Sequence, residues 1–312
     1  VRVVVTGGAG FIGANLCRRL AAEPAVYEVV ALDDCSTGDP ANLAGTDAAL
    51  HRGSILHEGD LDACLAGAAS VVHLAARPSV PRSIADPMAS HAVNTTGTAM
   101  VLEAARRHGV EHVVVAGSSS VYGANPTLPK HEDLPLRPMS PYAATKLATE
   151  AYALAWAQVW DLGVLALRFF NVFGPLQAAG HAYAAVIPAF VDAALAGQPL
   201  PVHGDGTQTR DFTFVDSVTE VIARAVRDRV ANPEPVNLAF GGRHSLLELI
   251  EQLEGILGCP LERVHTPPRP GDVPHSQADQ TRLRSLFPDV EPVRLDMGLR
   301  ATVDWFRTLE RP

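Results

Sequence analysis

The sequence predicts an α/β protein: a doubly wound parallel sheet joined to a smaller second domain. Three observations lead there. Over the first 170 residues, short β-branched runs alternate with helical stretches, the pattern of strands linked by crossover helices. The strand runs are apolar at nearly every position, which fits burial on both faces. After Asn171 the rhythm breaks, as proline and glycine become frequent (Gly174, Pro175, Gly197, Pro199, Pro201). A chain of 312 residues, 47% apolar and 19% charged, can bury a sizeable core, so wholesale disorder is excluded.

In order, 3–5 reads as a strand, 12–22 as a helix and 28–32 as a strand. A helical stretch at 61–65 precedes a strand at 71–74. Residues 94–108 form a helix, 113–115 a strand, 142–159 a long helix and 164–169 another strand. Further on, 218–230 reads as a helix and 236–238 as a short strand. The segment 245–257 is helical, with Ser245 as N-cap and Glu248 three residues later. A Pro-rich stretch at 266–272 leads to a last helix near 299–309. The expected division puts 1–170, with a return segment at about 215–243, in the sheet domain; 171–214 and 244–312 make the second domain.

Charge narrows the partners. With 25 basic and 34 acidic residues the formal charge is −9, and no stretch is densely basic. Nucleic acid and anionic membrane gain little electrostatic support. The stretch 171–191 carries no formal charge, but Pro175, Gln177, Gly180, His181 and Pro188 make it a poor membrane span. The chain opens on an apolar strand without a charged leader, so a cytoplasmic protein is expected. Cys17, Cys35, Cys64 and Cys259 lack CxxC spacing, and the twelve histidines form no HxxxH or HExxH pair. Neither a disulfide framework nor a metal site is expected.

Thr6-Gly7-Gly8-Ala9-Gly10-Phe11-Ile12-Gly13 lies between the first strand and the first helix. Glycine serves where backbone must turn tightly and approach a pyrophosphate, and the helix start offers N–H groups to that phosphate. Alone, three glycines equally describe a tight strand–helix turn. Asp33, twenty residues after Gly13 at the end of the second strand, adds weight. A carboxylate there accepts from ribose hydroxyls and repels a 2′-phosphate, which favours NAD over NADP. Asp34 beside it also reads as a solvated turn residue.

Tyr142-Ala143-Ala144-Thr145-Lys146 places a phenol and an ammonium on one helix face. A phenol with pKa about 10 is a poor base near neutrality, and a nearby cation favours its phenolate. An ordinary exposed helix has the same spacing. The discriminating segment is Gly117-Ser118-Ser119-Ser120-Val121-Tyr122-Gly123, which sets hydroxyls at a strand C-terminal edge, where this fold builds sites.

The glycine spacing and the Tyr–Lys pair resemble the extended short-chain dehydrogenase/reductase superfamily. Nearly the whole chain is similar to its nucleotide-sugar epimerase/dehydratase branch, and to the UDP-sugar 4-epimerases within it. The matching stretches include His73-Leu74-Ala75-Ala76, Ser140-Pro141-Tyr142, Arg168-Phe169-Phe170-Asn171-Val172, Arg210-Asp211-Phe212 and Arg269-Pro270-Gly271-Asp272. The resemblance implies a Rossmann-type doubly wound sheet with a smaller, discontinuous C-terminal α/β substrate domain. It implies NAD as cofactor, bound by Gly7, Gly10, Phe11, Ile12, Asp33, Asp34, Ser36, Thr37, Gly38, Ser54, Ile55, Leu74, Ala75, Ala76, Arg77, Asn94, Tyr142, Lys146 and Phe169. Family members usually carry Asp-Ile at the adenine contact; here Ser54-Ile55 leaves that carboxylate missing.

By the same resemblance Tyr142 is the base, Lys146 holds the ribose and tunes Tyr142, and Ser118 is the hydroxyl partner. Ser79, Val80, Ser119, Ser120 and Val186 fall on the substrate side. Asn171, Arg210, Arg269 and Asp272 fall where the UDP diphosphate and ribose bind, and Val202 and His203 where uracil is held. For Arg210 a surface salt bridge to Asp211 is the plain alternative. Ser276 falls on a gate position often held by Tyr, so a larger sugar should be admissible; Arg77 and Arg82 could place a cation near it. The implied reaction is C4 epimerisation of a UDP-hexose or UDP-hexuronate through a 4-keto sugar. A 4,6-dehydratase or a UDP-glucuronate decarboxylase is the alternative. Dehydratases usually carry Asp-Glu at the positions of Ser119 and Ser120, and hydroxyls cannot act as that acid–base pair. A non-enzymatic NAD sensor would be marked by loss of the Tyr or the Lys, and both are present. Related epimerases pair two helices across a two-fold axis, so a homodimer is expected through 94–108 and 142–159, where Tyr152, Trp156 and Trp160 lie.

Overall fold

A computed structural model describes residues 1–26, 28–179, 184–267 and 273–309. Arg269 and Asp272 lie outside the described residues. β1 (Arg2–Thr6) runs into α1 (Phe11–Ala21), and β2 (Glu28–Asp33) returns beside it. Then come β3 (Ala49–Arg52), α2 (Glu58–Leu65) and β4 (Ser70–His73). Two short helices, α3 (Val80–Ala85) and α4 (Pro87–His91), precede α5 (Gly97–Arg107) and β5 (His112–Ser118). α6 (Pro141–Trp160) and β6 (Gly163–Phe169) follow. The later elements are β7 (Val172–Phe173), α7 (Val186–Leu195), β8 (Leu200–His203), β9 (Thr209–Arg210), β10 (Thr213–Phe214) and α8 (Val215–Asp228). The chain then forms β11 (Val236–Leu238), β12 (His244–Ser245), α9 (Leu246–Leu257), β13 (Arg263–Thr266), α10 (Thr281–Leu286) and α11 (Leu295–Thr308).

Seven strands make one parallel sheet in the order β11-β6-β5-β4-β1-β2-β3. The winding reverses between β1 and β4, and open α/β sheets take ligands beyond the strand ends at such a point. Successive side chains of a strand face opposite sides. Val3 and Val5 accordingly join a core with α1 and α8, while Val4 joins the core under α2, α5 and α6. Residues after Asn171 build a third core, in which Phe173 and Phe214 pack with α7, α9 and α11. β11 pairs with β6, and α8 lies on α1, so part of the later chain returns to the sheet.

Several elements differ from expectation. β3 was not foreseen because it is an edge strand with Ala49, Leu50 and Arg52 all exposed, so it shows no buried pattern. The uncharged stretch after Asn171 contains α7, whose Ile187, Phe190 and Val191 are buried in the third core. No described helix is long and apolar enough to cross a membrane. The helix expected over 94–108 opens with a π-helical turn, Ala92–Thr96. In that turn the Asn94 carbonyl accepts from the Thr98 and Thr149 hydroxyls at 2.6 and 2.8 Å. The last helix starts earlier, at Leu295, with Asp296 in its first turn complementing the helix dipole. The Ser245–Glu248 capping box forms as read.

Candidate active site

The glycine turn packs with no spare room. Gly7 has φ +71°, and a Cβ there would lie 2.7 Å from the Ala75 backbone nitrogen. α1 starts at Phe11 with no side-chain cap on Gly10, which leaves its first turn to a ligand. Asp33 ends β2 and accepts from Ala9 N–H and Cys35 N–H at 2.9 and 2.8 Å. Each carboxylate oxygen keeps a lone pair for a ribose hydroxyl. Asp34 accepts from Ser36 N–H at 2.9 Å, and Gly38 lies against Ala9 and the Asp33 carboxylate. The stretch from Ser36 through Thr37 to Gly38 therefore folds over the glycine turn. These features fit a dinucleotide whose ribose has a free 2′-hydroxyl.

A carboxylate from another element does stand beside Ser54, bonded within the protein. Asp60, from the first turn of α2, accepts from Ser54 N–H at 2.8 Å and lies against Gly53. That bond, followed by His51, holds its carboxyl below the usual range. Ile55 is buried against Gly97. Sequence reasoning missed Asp60 because no spacing rule links a helix start to the strand end before it.

Leu74, Ala75 and Ala76 leave β4 beside the glycine turn, with Ala75 N–H donating to Thr6 Oγ1 at 3.2 Å. The His73 ring, in the buried layer below, bridges Thr6 Oγ1 at 2.8 Å and Thr98 Oγ1 at 3.0 Å. Arg77 is held by its main chain, because Asn94 Oδ1 accepts its N–H at 2.7 Å and Asn94 Nδ2 donates to its carbonyl at 3.2 Å. Asn94 Nδ2 also donates to Thr145 Oγ1 at 3.0 Å. Both amide hydrogens of Asn94 are thereby committed to the protein, and the residue joins the loop after β4 to the Tyr–Lys helix. The Arg77 guanidinium faces Asp86 at 3.7 Å. Ser79, at φ 98°, caps α3, whose first residue is Val80.

Tyr142 and Lys146 lie on α6, one turn apart, facing the end of β5. The Tyr142 N–H donates to Ser83 Oγ at 3.0 Å, and Lys146 Nζ donates to the Ala116 carbonyl at 2.8 Å. Burial lowers the Lys146 pKa to about 8. The expectation that Lys146 draws the phenol down is corrected. Burial pushes the Tyr142 pKa up, and the counteracting contact is a hydrogen bond with Ser118. Phe169 ends β6 directly opposite Ser118. Ser118 caps a 3-10 turn, Ser119–Tyr122, so the three hydroxyls leave the strand together.

Beyond β6 a cavity of about 220 Å³ opens between β7, α7 and β9. Asn171, Val186, His203 and Arg210 line it, and sequence reasoning missed Gln208, Phe212 and Leu246 beside them. Asn171 Nδ2 donates to the Asp211 carbonyl at 3.1 Å. Arg210 Nη1 donates to the Thr209 and Pro274 carbonyls at 2.9 and 3.1 Å, whereas the Asp211 carboxylate accepts from the N–H groups of Gly241, Gly242 and Ala278. His203 Nδ1 pairs with Thr266 Oγ1 at 2.7 Å. Val202 is buried in the third core, so only its main chain can meet a base. Ser276 is buried, with its N–H on the Thr209 carbonyl at 3.0 Å.

A phenol, an ammonium and a serine hydroxyl gathered where a dinucleotide would end belong to an oxidoreductase-type fold that works on a carbon bearing a hydroxyl. The comparisons narrow this class. The chain belongs to the NAD dependent epimerase/dehydratase family, whose sequence model matches residues 3–239. It is 38% identical over 314 residues to the UDP-glucose 4-epimerase of Mycolicibacterium smegmatis, covering 98% of this chain and 99% of that one. The UDP-N-acetylglucosamine 4-epimerase from Methanobrevibacter ruminantium, solved with UDP-N-acetylmuramic acid, superposes with a TM-score of 0.93 at 33% identity, over 98% of each chain. The UDP-glucuronic acid 4-epimerase from Bacillus cereus, solved with UDP-glucuronic acid and NAD, gives 0.90 at 30% identity, over 99% of this chain and 100% of that one.

Proposed function

We propose that this chain catalyses NAD-dependent C4 epimerisation of a UDP-sugar. The observation that carries this reading is the Ser118–Tyr142–Lys146 group, with hydroxyls rather than carboxylates at Ser119 and Ser120. When bound, NAD supplies the hydride acceptor and donor for C4. Tyr142 takes the proton of the 4-hydroxyl and returns it when the 4-keto sugar is reduced on its other face. Lys146, anchored on the Ala116 carbonyl, holds the ribose of the dinucleotide. Asn171, Val186, His203 and Arg210 hold the uridine diphosphate in the cavity. The dehydratase reading lacks its acid and base at Ser119 and Ser120.

Ser276 is smaller than a gate tyrosine, so UDP-glucuronate and UDP-N-acetylglucosamine are candidates beside UDP-glucose. The four unpaired cysteines suit a reducing cytoplasm. On α6, Tyr152, Val159 and Trp160 are exposed, and Trp160 packs at a tilt against Trp156 with ring centroids 4.8 Å apart. That apolar face supports a homodimer, which light scattering at micromolar concentration tests. The functional test incubates the protein with each of the three UDP-sugars and no added cofactor. A C4 epimer is expected; a 4-keto-6-deoxy product would overturn the reading in favour of the dehydratase.

A further inference from the structure

The buried His73 ring sits in the middle of a chain of hydrogen bonds whose direction is fixed at one end. The Thr98 hydroxyl donates to the Asn94 carbonyl at 2.6 Å, and the Thr149 hydroxyl donates to the same carbonyl at 2.8 Å. The contact between the two hydroxyls is longer, at 3.3 Å. A hydroxyl has one proton, so neither threonine has one left for the imidazole. Thr98 Oγ1, 3.0 Å from His73 Nε2, is therefore an acceptor there, and Nε2 carries the proton. Burial and the Lys146 charge hold the ring neutral. Nδ1 is then a bare acceptor, and the Thr6 hydroxyl donates to it at 2.8 Å. The Thr6 oxygen in turn accepts the Ala75 N–H at 3.2 Å.

The chain runs one way, from Ala75 through Thr6, His73 and Thr98 to Asn94, and both ends reach the site. Thr6 opens the glycine turn, and Ala75 is the backbone against which Gly7 packs. At the far end Asn94 Nδ2 donates to Thr145 Oγ1 at 3.0 Å, and Thr145 Oγ1 donates to the Tyr142 carbonyl at 2.8 Å. The opposite tautomer breaks the chain, because its bare Nε2 would face the Thr98 oxygen with no proton between them.

We propose that His73, as the neutral Nε2–H tautomer, is a positioning residue that fixes the NAD-binding turn against the helix carrying Tyr142. Nδ1 serves the cofactor end and Nε2 the Tyr142 end. The effect on turnover rests on the reading of Tyr142 as base; the tautomer and the hold on NAD do not.

The experiment reads the ring nitrogens by NMR in the NAD-loaded protein, isotope-labelled in its histidines. The His73 signals are those missing from His73→Gln. At neutral pH a bare Nδ1 and a protonated Nε2 are expected; the opposite tautomer or a doubly protonated ring overturns the proposal. Two variants then separate the ends of the chain. Asparagine sets its oxygen near the place of Nδ1, and glutamine sets its amide nitrogen near that of Nε2. His73→Asn keeps the Thr6 bond and should retain NAD, while kcat falls about tenfold for the lost bond to Thr98. His73→Gln keeps the Thr98 bond and should hold NAD about tenfold less tightly, with kcat kept at saturating NAD. KM for the UDP-sugar should be unchanged in both. Equal losses of NAD and of kcat in the two variants would mark a ring that only fills space, and overturn the proposal. The epimerase reading fails separately: a 4-keto-6-deoxy product, or Tyr142→Phe keeping more than about a tenth of the activity, removes it and leaves the tautomer and the NAD results standing.

Discussion

Replacing Arg168 by methionine is expected to cost the fold about 3–5 kcal/mol. Arg168, on β6, is 2% exposed. Its Nε and Nη2 clasp the Glu150 carboxylate at 2.8 and 2.7 Å. Its Nη1 donates to the Tyr122 hydroxyl at 2.8 Å and to the Glu132 carbonyl at 3.1 Å. Burial would lower the guanidinium pKa, but the bonds to Glu150 and Tyr122 outweigh it and hold the pKa above its ordinary value. Tyr122, pushed up to about 12 mainly by burial, stays a neutral phenol and donates to Asn237 Oδ1 at 2.7 Å. Methionine fills the space but leaves the buried Glu150 carboxylate without its cation. Adding Glu150→Leu removes that charge, leaving the unmade bonds at Tyr122 and Glu132 at about 1–3 kcal/mol. The double variant should therefore be more stable than Arg168→Met by about 2 kcal/mol. Urea midpoints at unchanged slope measure this. If the double variant lost the sum of the two single losses, the buried charge would not be the cause. Glu150 lies one turn beyond Lys146, and Tyr122 closes the serine turn, so Arg168→Met should lower turnover as well.

His73 is fully buried and pushed down to about 3, first by burial and then by the charge of Lys146. The folded state thus binds its proton less readily than the unfolded chain, and stability is lost as pH falls from about 6.5 toward 3. At pH 5 that loss is about 2 kcal/mol; urea midpoints at pH 7 and 5 should converge in His73→Gln, and an unchanged gap would count against the assignment. Gly7→Ala puts a Cβ against the Ala75 backbone at φ +71°, adding about 1–2 kcal/mol of left-handed strain to a clash. The purified variant should have lost its NAD, seen by absorbance after denaturation, and stoichiometric NAD would refute the close packing.

Much of this protein was legible in its sequence. The strands of the main sheet that lie beneath helices announce themselves, because a strand covered on both faces is apolar at most of its positions. The glycine turn, Asp33 and the Tyr142–Lys146 pair were legible because their meaning lies in local geometry, a strand–helix turn or one helical turn. Other features depend on which distant segments meet. β3 is an exposed edge strand. The Asp60 carboxylate, the Asn94 bridge and the Thr6–His73–Thr98 ladder join elements far apart in the chain. Arg168 reaches Glu150 and Tyr122 across 18 and 46 residues. The order of the serines is a similar case: the sequence offers three like hydroxyls, and only the turn after β5 points Ser120 back at Ser118. Residue type and local period determined the sheet and the reactive groups. Tertiary packing decided their partners and pKa values, because burial and hydrogen-bond direction exist only once remote segments enclose a side chain.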